Sequence, residues 1–299
     1  MVTRGLFRGT APALVTPFTT DGELDLAAFR GLIDWQIEGG VEGLVVLGTT
    51  GENATVWPEE RRRIVETAIE HTAGRVPVII GTGNNSTSES IVFSKEAASA
   101  GADGLLVVGP YYNKPTQAGF RAHVAAIADA TDCPIIVYNV PGRTSFNCKA
   151  ETMLQIAEEV PSVVGVKEAS GDLAQISDIL AHRPERLAVY SGDDEMTLPL
   201  IALGADGVIS VLANALPDVF DELVQAALAG EFETARRLHF RLLPAMRACF
   251  LETNPIPIKT VLGAMGRMES TMRLPLVPMS EENRQKVLNI FAEYTAVKA

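Results

Sequence analysis

Cysteine, positive charge and long apolar runs are all scarce in this sequence of 299 residues. The 3 cysteines show no CxxC spacing, which argues against a disulfide framework or a zinc ribbon and favours a reducing, cytoplasmic compartment. Stretches of 18 residues without charges or helix breakers are missing, so we expect neither a membrane span nor a secretion signal. Lys and Arg total 25 against 37 for Asp and Glu, and the resulting charge of -12 would repel the phosphate backbone of a nucleic acid.

Motifs of several common catalytic sites are missing as well. The sequence contains no GxSxG nucleophile elbow, no Walker A loop and no HExxH zinc motif. Its 4 histidines are isolated from one another, which is not the spacing of metal ligands. We therefore expect no metal and no cofactor.

Short apolar runs that alternate with helical stretches dominate what is present. The runs occupy 11–16, 43–47, 76–81, 104–108, 134–138, 163–167, 187–191 and 207–211. Alternating strands and helices imply parallel strands, because each crossover returns the chain to the same edge of the sheet. Eight such units predict an α/β fold of the (β/α)8 TIM-barrel type. A doubly wound sheet remains the alternative, since its strands are equally apolar.

The alternation stops near Gly230. Helical periodicity then predicts three helices, over residues 232–250, 256–265 and 281–297. We therefore divide the chain into a barrel catalytic domain, residues 1–230, and a C-terminal helical region, residues 231–299.

Lys167 is the strongest candidate for chemistry. Reactive side chains of a (β/α)8 barrel lie at the C-terminal ends of its strands, and of the seven lysines only Lys167 ends an apolar run. Burial there would favour the neutral amine, which can attack a carbonyl and form a Schiff base. The alternative is a structural ion pair with the neighbouring Glu168 or another carboxylate.

Two predicted loops at the same end of the barrel carry further polar groups. The turn with the sequence GTTGE at 48–52, the GTTGE turn, contains Thr49 and Thr50, whose hydroxyls can hold a carboxylate or relay a proton. Tyr138 ends the fifth run and could transfer protons, and Arg143 follows it and could bind a carboxylate. Purely structural roles are equally compatible with both loops. The first would be a tight turn capped by a threonine, and the second would place an aromatic side chain in the barrel mouth with an arginine on its rim.

Seven motifs occur in order along nearly the whole chain. They are GTTGE at 48–52, GPYYNKP at 109–115, YNVPGRT at 138–144, GVKEASG at 165–171, SGDD at 191–194, GVISV at 207–211 and NPIP at 254–257. By these motifs the sequence resembles the pyruvate-dependent Schiff-base lyases, and within them most closely the dihydrodipicolinate synthase family. The resemblance implies a (β/α)8 barrel followed by three helices, and a lyase that condenses pyruvate with L-aspartate 4-semialdehyde on the diaminopimelate route to lysine.

The resemblance also implies roles for individual residues. Lys167 would form the imine with pyruvate, and Tyr138 would move protons through Thr49 to Tyr112, which in this family comes from a neighbouring subunit of a homo-oligomer, a dimer or a dimer of dimers. The residues that it assigns to the substrates are Thr50 for the pyruvate carboxylate, Gly192 and Ile209 for the wall of the pyruvate pocket, and Arg143 for the carboxylate of the semialdehyde.

Part of an effector site for L-lysine is matched too. The matching residues are Ala54, Asn85, Glu89 and Tyr111. Pro58 and Arg61, however, stand where well-inhibited bacterial members have histidines. Proline has no imidazole to donate, and a guanidinium would repel the effector's ammonium, so we expect weak or absent inhibition.

Other functions remain open at this point. Sister enzymes such as N-acetylneuraminate lyase and 2-keto-3-deoxy sugar acid aldolases share the Lys–Tyr pair but act on sugar-derived aldehydes. Arg143 and the pair Tyr111 and Tyr112 favour the semialdehyde. A non-catalytic sensor of small ligands is a third possibility, but ligand binding alone needs neither an amine nor a proton relay.

Overall fold

Strands and helices alternate along the chain in the computed structural model, which describes residues 4–295. The strands are β1 Gly9–Pro12, β2 Leu44–Val46, β3 Val78–Gly81, β4 Gly104–Val108, β5 Ile135–Asn139, β6 Val163–Glu168, β7 Ala188–Ser191 and β8 Gly207–Ser210. The helices are α1 Leu26–Glu38, α2 Pro58–Thr72, α3 Thr87–Ala100, α4 Gln117–Ala128, α5 Pro141–Thr144, α6 Ala150–Glu159, α7 Leu173–His182, α8 Thr197–Ala202, α9 Pro217–Leu228, α10 Phe232–Ala248, α11 Ile256–Ala264 and α12 Glu281–Phe291.

Local chemistry explains where the helices begin and end. The Asp25 carboxylate accepts hydrogen bonds from the backbone N–H groups of Ala27 and Ala28, which otherwise lack partners at the start of α1. The chain leaves that helix at Gly39. Pro58 occupies the first turn of α2, where a missing N–H costs nothing.

All strand pairs are parallel, and the sheet closes on itself. The hydrogen-bonded order is β1-β8-β7-β6-β5-β4-β3-β2, so the first strand lies beside the last. A parallel bridge between Ala13 and Val45 joins β1 to β2, and the Leu14 N–H donates to the Val45 carbonyl at 2.8 Å. The (β/α)8 barrel is confirmed, and the doubly wound sheet is excluded because its end strands would lie apart.

Aromatic side chains close the N-terminal end of the barrel. Phe7 stacks on Tyr190 with 4.3 Å between ring centroids, and the Tyr190 hydroxyl donates to the Phe7 carbonyl at 2.8 Å. Both side chains belong to the apolar cluster inside the barrel. Access to the interior is therefore left to the loops at the C-terminal ends of the strands.

Helices α10 to α12 pack against the outside of the barrel. Leu238 and Leu242 of α10, and Val287 and Phe291 of α12, share one apolar cluster with barrel residues. The division of the chain after residue 230 stays a prediction. The last predicted helix is too long, because α12 ends at Phe291, and the predicted end at Val297 lies outside the described residues. Within the described residues, none of the helices is long and apolar enough to cross a membrane.

Candidate active site

Lys167 lies near the end of β6 with its side chain inside the barrel. The residue is 5% exposed, and burial lowers the pKa of its amine to about 7. The charge of Asp194 opposes that shift, whereas the charge of Arg143 adds to it. A large share of the amine is therefore neutral, and so nucleophilic, near neutral pH.

Tyr138 is an aromatic neighbour of this amine. It is paired in register with Lys167 across β5 and β6, and the Lys167 Nζ lies 4.3 Å from the centroid of its ring. Burial raises the pKa of the Tyr138 phenol, while the charge of Arg143 and a hydrogen bond with Thr49 oppose the rise. The amine, the phenol and the hydroxyl thus lie close together, and the phenol and the hydroxyl share a hydrogen bond through which a proton could pass.

The alternative role of Lys167 as a partner of Glu168 finds no support in the geometry. The Glu168 carboxylate accepts hydrogen bonds from the Ser170 hydroxyl at 2.6 Å and from the Asn139 amide at 2.7 Å. Successive residues of a strand point to opposite faces, so these two side chains diverge. Glu168 is thus engaged elsewhere.

Gly192 provides space for the lysine. A Cβ atom at this position would lie 3.0 Å from the Lys167 Cε and 2.8 Å from the Ala169 Cβ, closer than carbon atoms normally approach. Ile209 is fully buried in the same barrel-interior cluster as Tyr138. Gly192 therefore lies beside the lysine side chain, and Ile209 lies in the barrel interior with Tyr138.

A cavity of about 170 Å³ opens above this group at the C-terminal face. Its walls include Thr49, Ala54, Tyr111, Tyr138 and Arg143. Five of the predicted catalytic and substrate-binding residues do not line it: Thr50, Tyr112, Lys167, Gly192 and Ile209. The structure thus brings Thr49, Tyr138 and Arg143 to one cavity, while the Lys167 amine is buried beside the Tyr138 ring and does not line it.

Asn254 connects two of the predicted substrate-binding residues. Its side-chain amide donates to the Thr50 hydroxyl at 2.9 Å, and its carbonyl accepts from the Arg143 guanidinium at 3.1 Å. The residue is 5% exposed, and its buried Oδ1 has no protein partner among the described residues. The resemblance identified the NPIP motif but assigned Asn254 no role.

Asp194 was missed in the same way, although it lies in the SGDD motif. Its buried carboxylate accepts from the Leu212 N–H at 2.9 Å and from the Val211 N–H at 3.3 Å. Burial raises its pKa to about 6. Since its charge acts on Lys167, it belongs to the electrostatic surroundings of the amine.

Within residues 4–295, no hydrogen bond joins the Tyr112 side chain to the other site residues of its own chain. Its side chain is 91% exposed, and its backbone has a φ of 69°, which a non-glycine residue adopts only with strain. The neighbouring Tyr111 points into the cavity instead.

The remaining effector-site candidates surround Tyr111. Burial raises the pKa of Tyr111, which is hydrogen-bonded to the backbone of Asn85 and lies close enough to Glu89 to feel its charge. Ala54 lines the same cavity. These four residues therefore occupy one neighbourhood.

Arg61 is not among the residues that line this cavity. Its guanidinium donates to the Gly81 carbonyl and lies 4.3 Å from the centroid of the Phe93 ring, and burial lowers its pKa to about 10. The side chain therefore joins α2 to β3 and α3. Across residues 4–295, no cluster of three or more His, Cys, Asp or Glu side chains could hold a metal ion.

Comparison with known proteins identifies the family. Residues 6–293 match the profile of the Dihydrodipicolinate synthetase family. The 4-hydroxy-tetrahydrodipicolinate synthase of Salinibacter ruber is 67% identical over 288 residues, which are 96% of this chain and 95% of that protein. Dihydrodipicolinate synthase from Thermotoga maritima superimposes with a TM-score of 0.95 at 45% identity, covering 97% of this chain and 99% of that one.

A second similar structure is the chloride-inhibited dihydrodipicolinate synthase from Acinetobacter baumannii complexed with pyruvate. Its TM-score is 0.94 at 40% identity, over 97% of this chain and 98% of that one. The similarity in sequence and the similarity in structure both extend over almost the whole length of each protein. The chain therefore belongs to the dihydrodipicolinate synthetase family.

Proposed function

We propose that this chain is a lyase that condenses pyruvate with L-aspartate 4-semialdehyde to 4-hydroxy-tetrahydrodipicolinate, a step of lysine biosynthesis through diaminopimelate. The observation that carries the proposal is the buried Lys167 amine, with a pKa of about 7, held 4.3 Å from the Tyr138 ring. The 67% identical relative is named for the same product, which supports the proposal.

Lys167 begins the reaction as a nucleophile. Its neutral Nζ attacks the ketone carbon of pyruvate, and loss of water leaves a protonated imine. The positive nitrogen then withdraws electrons from the methyl group, so that a methyl proton can be removed to give an enamine. The hydrogen-bonded Tyr138 and Thr49 are the groups proposed to accept and return these protons.

The enamine carbon then forms a bond to the aldehyde carbon of the second substrate, whose oxygen takes up a proton. The amine of the semialdehyde attacks the imine carbon, closes the ring and displaces Lys167. The lysine leaves as a free amine, so the enzyme returns to its starting state without an oxidant or reductant.

Four residues are proposed to hold the substrates. Thr50 would bind the pyruvate carboxylate, Gly192 and Ile209 would shape the space around it, and Arg143 would bind the carboxylate of the semialdehyde. The position of Arg143 on the cavity wall supports this role, because its guanidinium can meet a ligand there.

The proposed assembly is a homo-oligomer, a dimer or a dimer of dimers, in which Tyr112 completes the relay of a neighbouring subunit. The 91% exposure of a strained tyrosine supports this idea, since a partner surface would cover it. The proposed compartment is the cytoplasm, supported by three cysteines that are free and buried.

Trapping with borohydride tests the proposed chemistry. Pyruvate with borohydride should inactivate the enzyme and leave one reduced pyruvyl group on Lys167, as located by peptide mass spectrometry. Lys167→Arg should abolish trapping, because a guanidinium stays protonated. An adduct on another lysine would contradict the mechanism.

The aldehyde partner needs a separate assay. Pyruvate is supplied with L-aspartate 4-semialdehyde or with sugar-derived aldehydes, and the two rates are compared. We expect preference for the semialdehyde; preference for a sugar aldehyde would instead identify the sister aldolase activity.

A further inference from the structure

A second buried lysine lies close to the active site but outside the mechanism above. Lys259 of α11 is fully buried, and its Nζ donates to the Glu52 carboxylate at 2.6 Å and to the Thr16 carbonyl at 3.0 Å. Its ammonium also lies 4.4 Å from the centroid of the Phe18 ring. The C-terminal helical region thus places a positive charge among the loops that follow β1 and β2.

The carboxylate that Lys259 holds is the last residue of the GTTGE turn. Glu52 is 5% exposed and has a φ of 52°, the left-handed conformation that a side chain adopts only with strain. The other Glu52 oxygen accepts weakly from the Arg273 N–H at 3.4 Å, and the Thr16 hydroxyl donates to the Gly51 carbonyl at 2.7 Å. Contacts from three segments therefore fix the end of this turn.

The start of the same turn carries the reactive groups. Thr49 is hydrogen-bonded to Tyr138, and Thr50 accepts from Asn254, which precedes α11 in the chain. The region around α11 thus reaches the GTTGE turn at two points, Thr50 and Glu52.

Stability alone does not account for this ion pair. Two charges lose their hydration when they are buried together, and replacement of a buried pair by apolar residues is often neutral or stabilising. Its location on a strained turn that bears two proposed site residues suggests a different purpose.

We propose that Lys259 is a positioning residue for catalysis, which acts through Glu52 to fix the GTTGE turn and thereby the hydroxyls of Thr49 and Thr50. The proposal rests on the proposed function, because it gives these hydroxyls their tasks. A displacement of about 1 Å in a reacting group can lower a rate about a hundredfold. Loss of the pair should therefore impair turnover more than folding.

The test neutralises both charges together, so that no unpaired charge stays buried. The double variant Glu52→Gln with Lys259→Met is compared with a matched control, Arg183→Met with Asp206→Asn. Arg183 and Asp206 form another ion pair, with side chains 8% and 7% exposed, at the opposite end of the barrel. Unfolding temperature, kcat, both KM values and the rate of borohydride trapping are measured for each.

We expect similar unfolding temperatures for the two double variants. The Glu52/Lys259 variant should lose at least tenfold in kcat and should trap pyruvate more slowly, whereas the Arg183/Asp206 variant should keep kcat within twofold of wild type. Wild-type kcat, KM and trapping in the Glu52/Lys259 variant would overturn the proposal.

A milder variant covers failure of the double variant to fold. Glu52→Asp keeps both charges but shortens the side chain by one methylene, so its carboxylate reaches Lys259 only if the turn moves. The same kinetic loss supports the proposal, while wild-type kinetics overturn it. Absence of condensation in the wild-type enzyme would instead refute the proposed function, so the two failures are distinguishable.

Discussion

The amines of Lys167 and Lys259 are both withdrawn from water but face different neighbours. Burial lowers the pKa of each, yet Lys259 lies 2.6 Å from the Glu52 carboxylate, which favours its charged form. Lys167 has the Tyr138 ring at 4.3 Å, and the charges of Asp194 and Arg143 act on its amine in opposite directions. The surroundings thus favour a neutral amine, capable of nucleophilic attack, at Lys167 and a charged ammonium at Lys259.

The first prediction concerns pH. Because the pKa of Lys167 is lowered to about 7, the neutral fraction of the amine grows as pH rises through that value. The rate of imine formation, measured by borohydride trapping at limiting pyruvate, should rise with pH and level off above about 8. In Asp194→Asn the midpoint should move down by about one pH unit, because a charge that favours the ammonium is removed. An unchanged or higher midpoint would show that Asp194 does not act on the amine.

Arg143 gives the second prediction. A charge-assisted hydrogen bond to a carboxylate contributes about 1.5 to 3 kcal/mol, or about ten- to a hundredfold. Arg143→Ala should therefore lower kcat/KM for the semialdehyde by that factor and leave pyruvate trapping within a few-fold of wild type. Arg8→Ala is the control, since Arg8 also donates to a backbone carbonyl, that of Leu228, at the far end of the barrel. Equal losses in both half-reactions would make Arg143 a structural residue.

At the scale of elements, periodicity predicted each of the eight strands but misplaced some ends. Residues 11–16 were predicted as the first strand, whereas β1 is Gly9–Pro12. Leu14 and Val15 are fully buried all the same, because the loop that follows β1 packs in the apolar cluster that also contains residues of the C-terminal helices. An apolar run reports burial, and it cannot distinguish a buried loop from a strand. β2 ends before Leu47, whose φ of 57° leaves the extended region.

The geometry of the candidate site was predictable only where a residue's position depends on its own strand. Lys167 and Tyr138 follow from the rule that places chemistry at strand ends. Asn254 and Lys259 could not be found this way, because their partners Thr50 and Glu52 are 204 and 207 positions away in the sequence. Only the closed barrel with its packed C-terminal helices brings these pairs together.

The third prediction concerns the surface between α2 and α3. Arg61 is held by the Gly81 carbonyl and the Phe93 ring, and Pro58 occupies the first turn of α2, so neither can offer an imidazole to L-lysine. We expect half-inhibition by L-lysine only above about 1 mM. Titration of L-lysine against activity measures this value.

A gain-of-function variant provides the control for that titration. Pro58→His with Arg61→His introduces the histidines that the resemblance assigns to well-inhibited members. The variant should be half-inhibited at a lower L-lysine concentration than wild type. Wild-type half-inhibition well below 1 mM would contradict the prediction and would mean that Glu89 and Tyr111 suffice for binding.

At the scale of the whole molecule, the chain builds a cavity whose proposed relay is incomplete. Thr49 and Tyr138 line the cavity, whereas the Tyr112 side chain is 91% exposed on the surface. Holding a tyrosine at a φ of 69° costs on the order of 1 kcal/mol, which an intersubunit contact could offset. The oligomer is therefore the functional unit in our proposal.

Mixed subunits give the fourth prediction. Chains with Lys167→Ala and chains with Tyr112→Phe should each be nearly inactive, and mixing them should restore part of the activity once subunits exchange. Exchange is verified with differently tagged chains and native mass spectrometry. Absence of recovery after verified exchange would exclude a relay shared between subunits.

The contact between Glu52 and Lys259 also has a consequence for the order in which the chain folds during its synthesis. A ribosome releases the amino end of a chain first, and all eight strands precede Lys259 in the sequence. A nascent chain can therefore complete its barrel while the Glu52 carboxylate still awaits the ammonium that neutralises it. The catalytic turn would thus be fixed only after the barrel has closed. A chain that ends after α9 would contain all eight strands but would lack the Lys259 ammonium that holds Glu52.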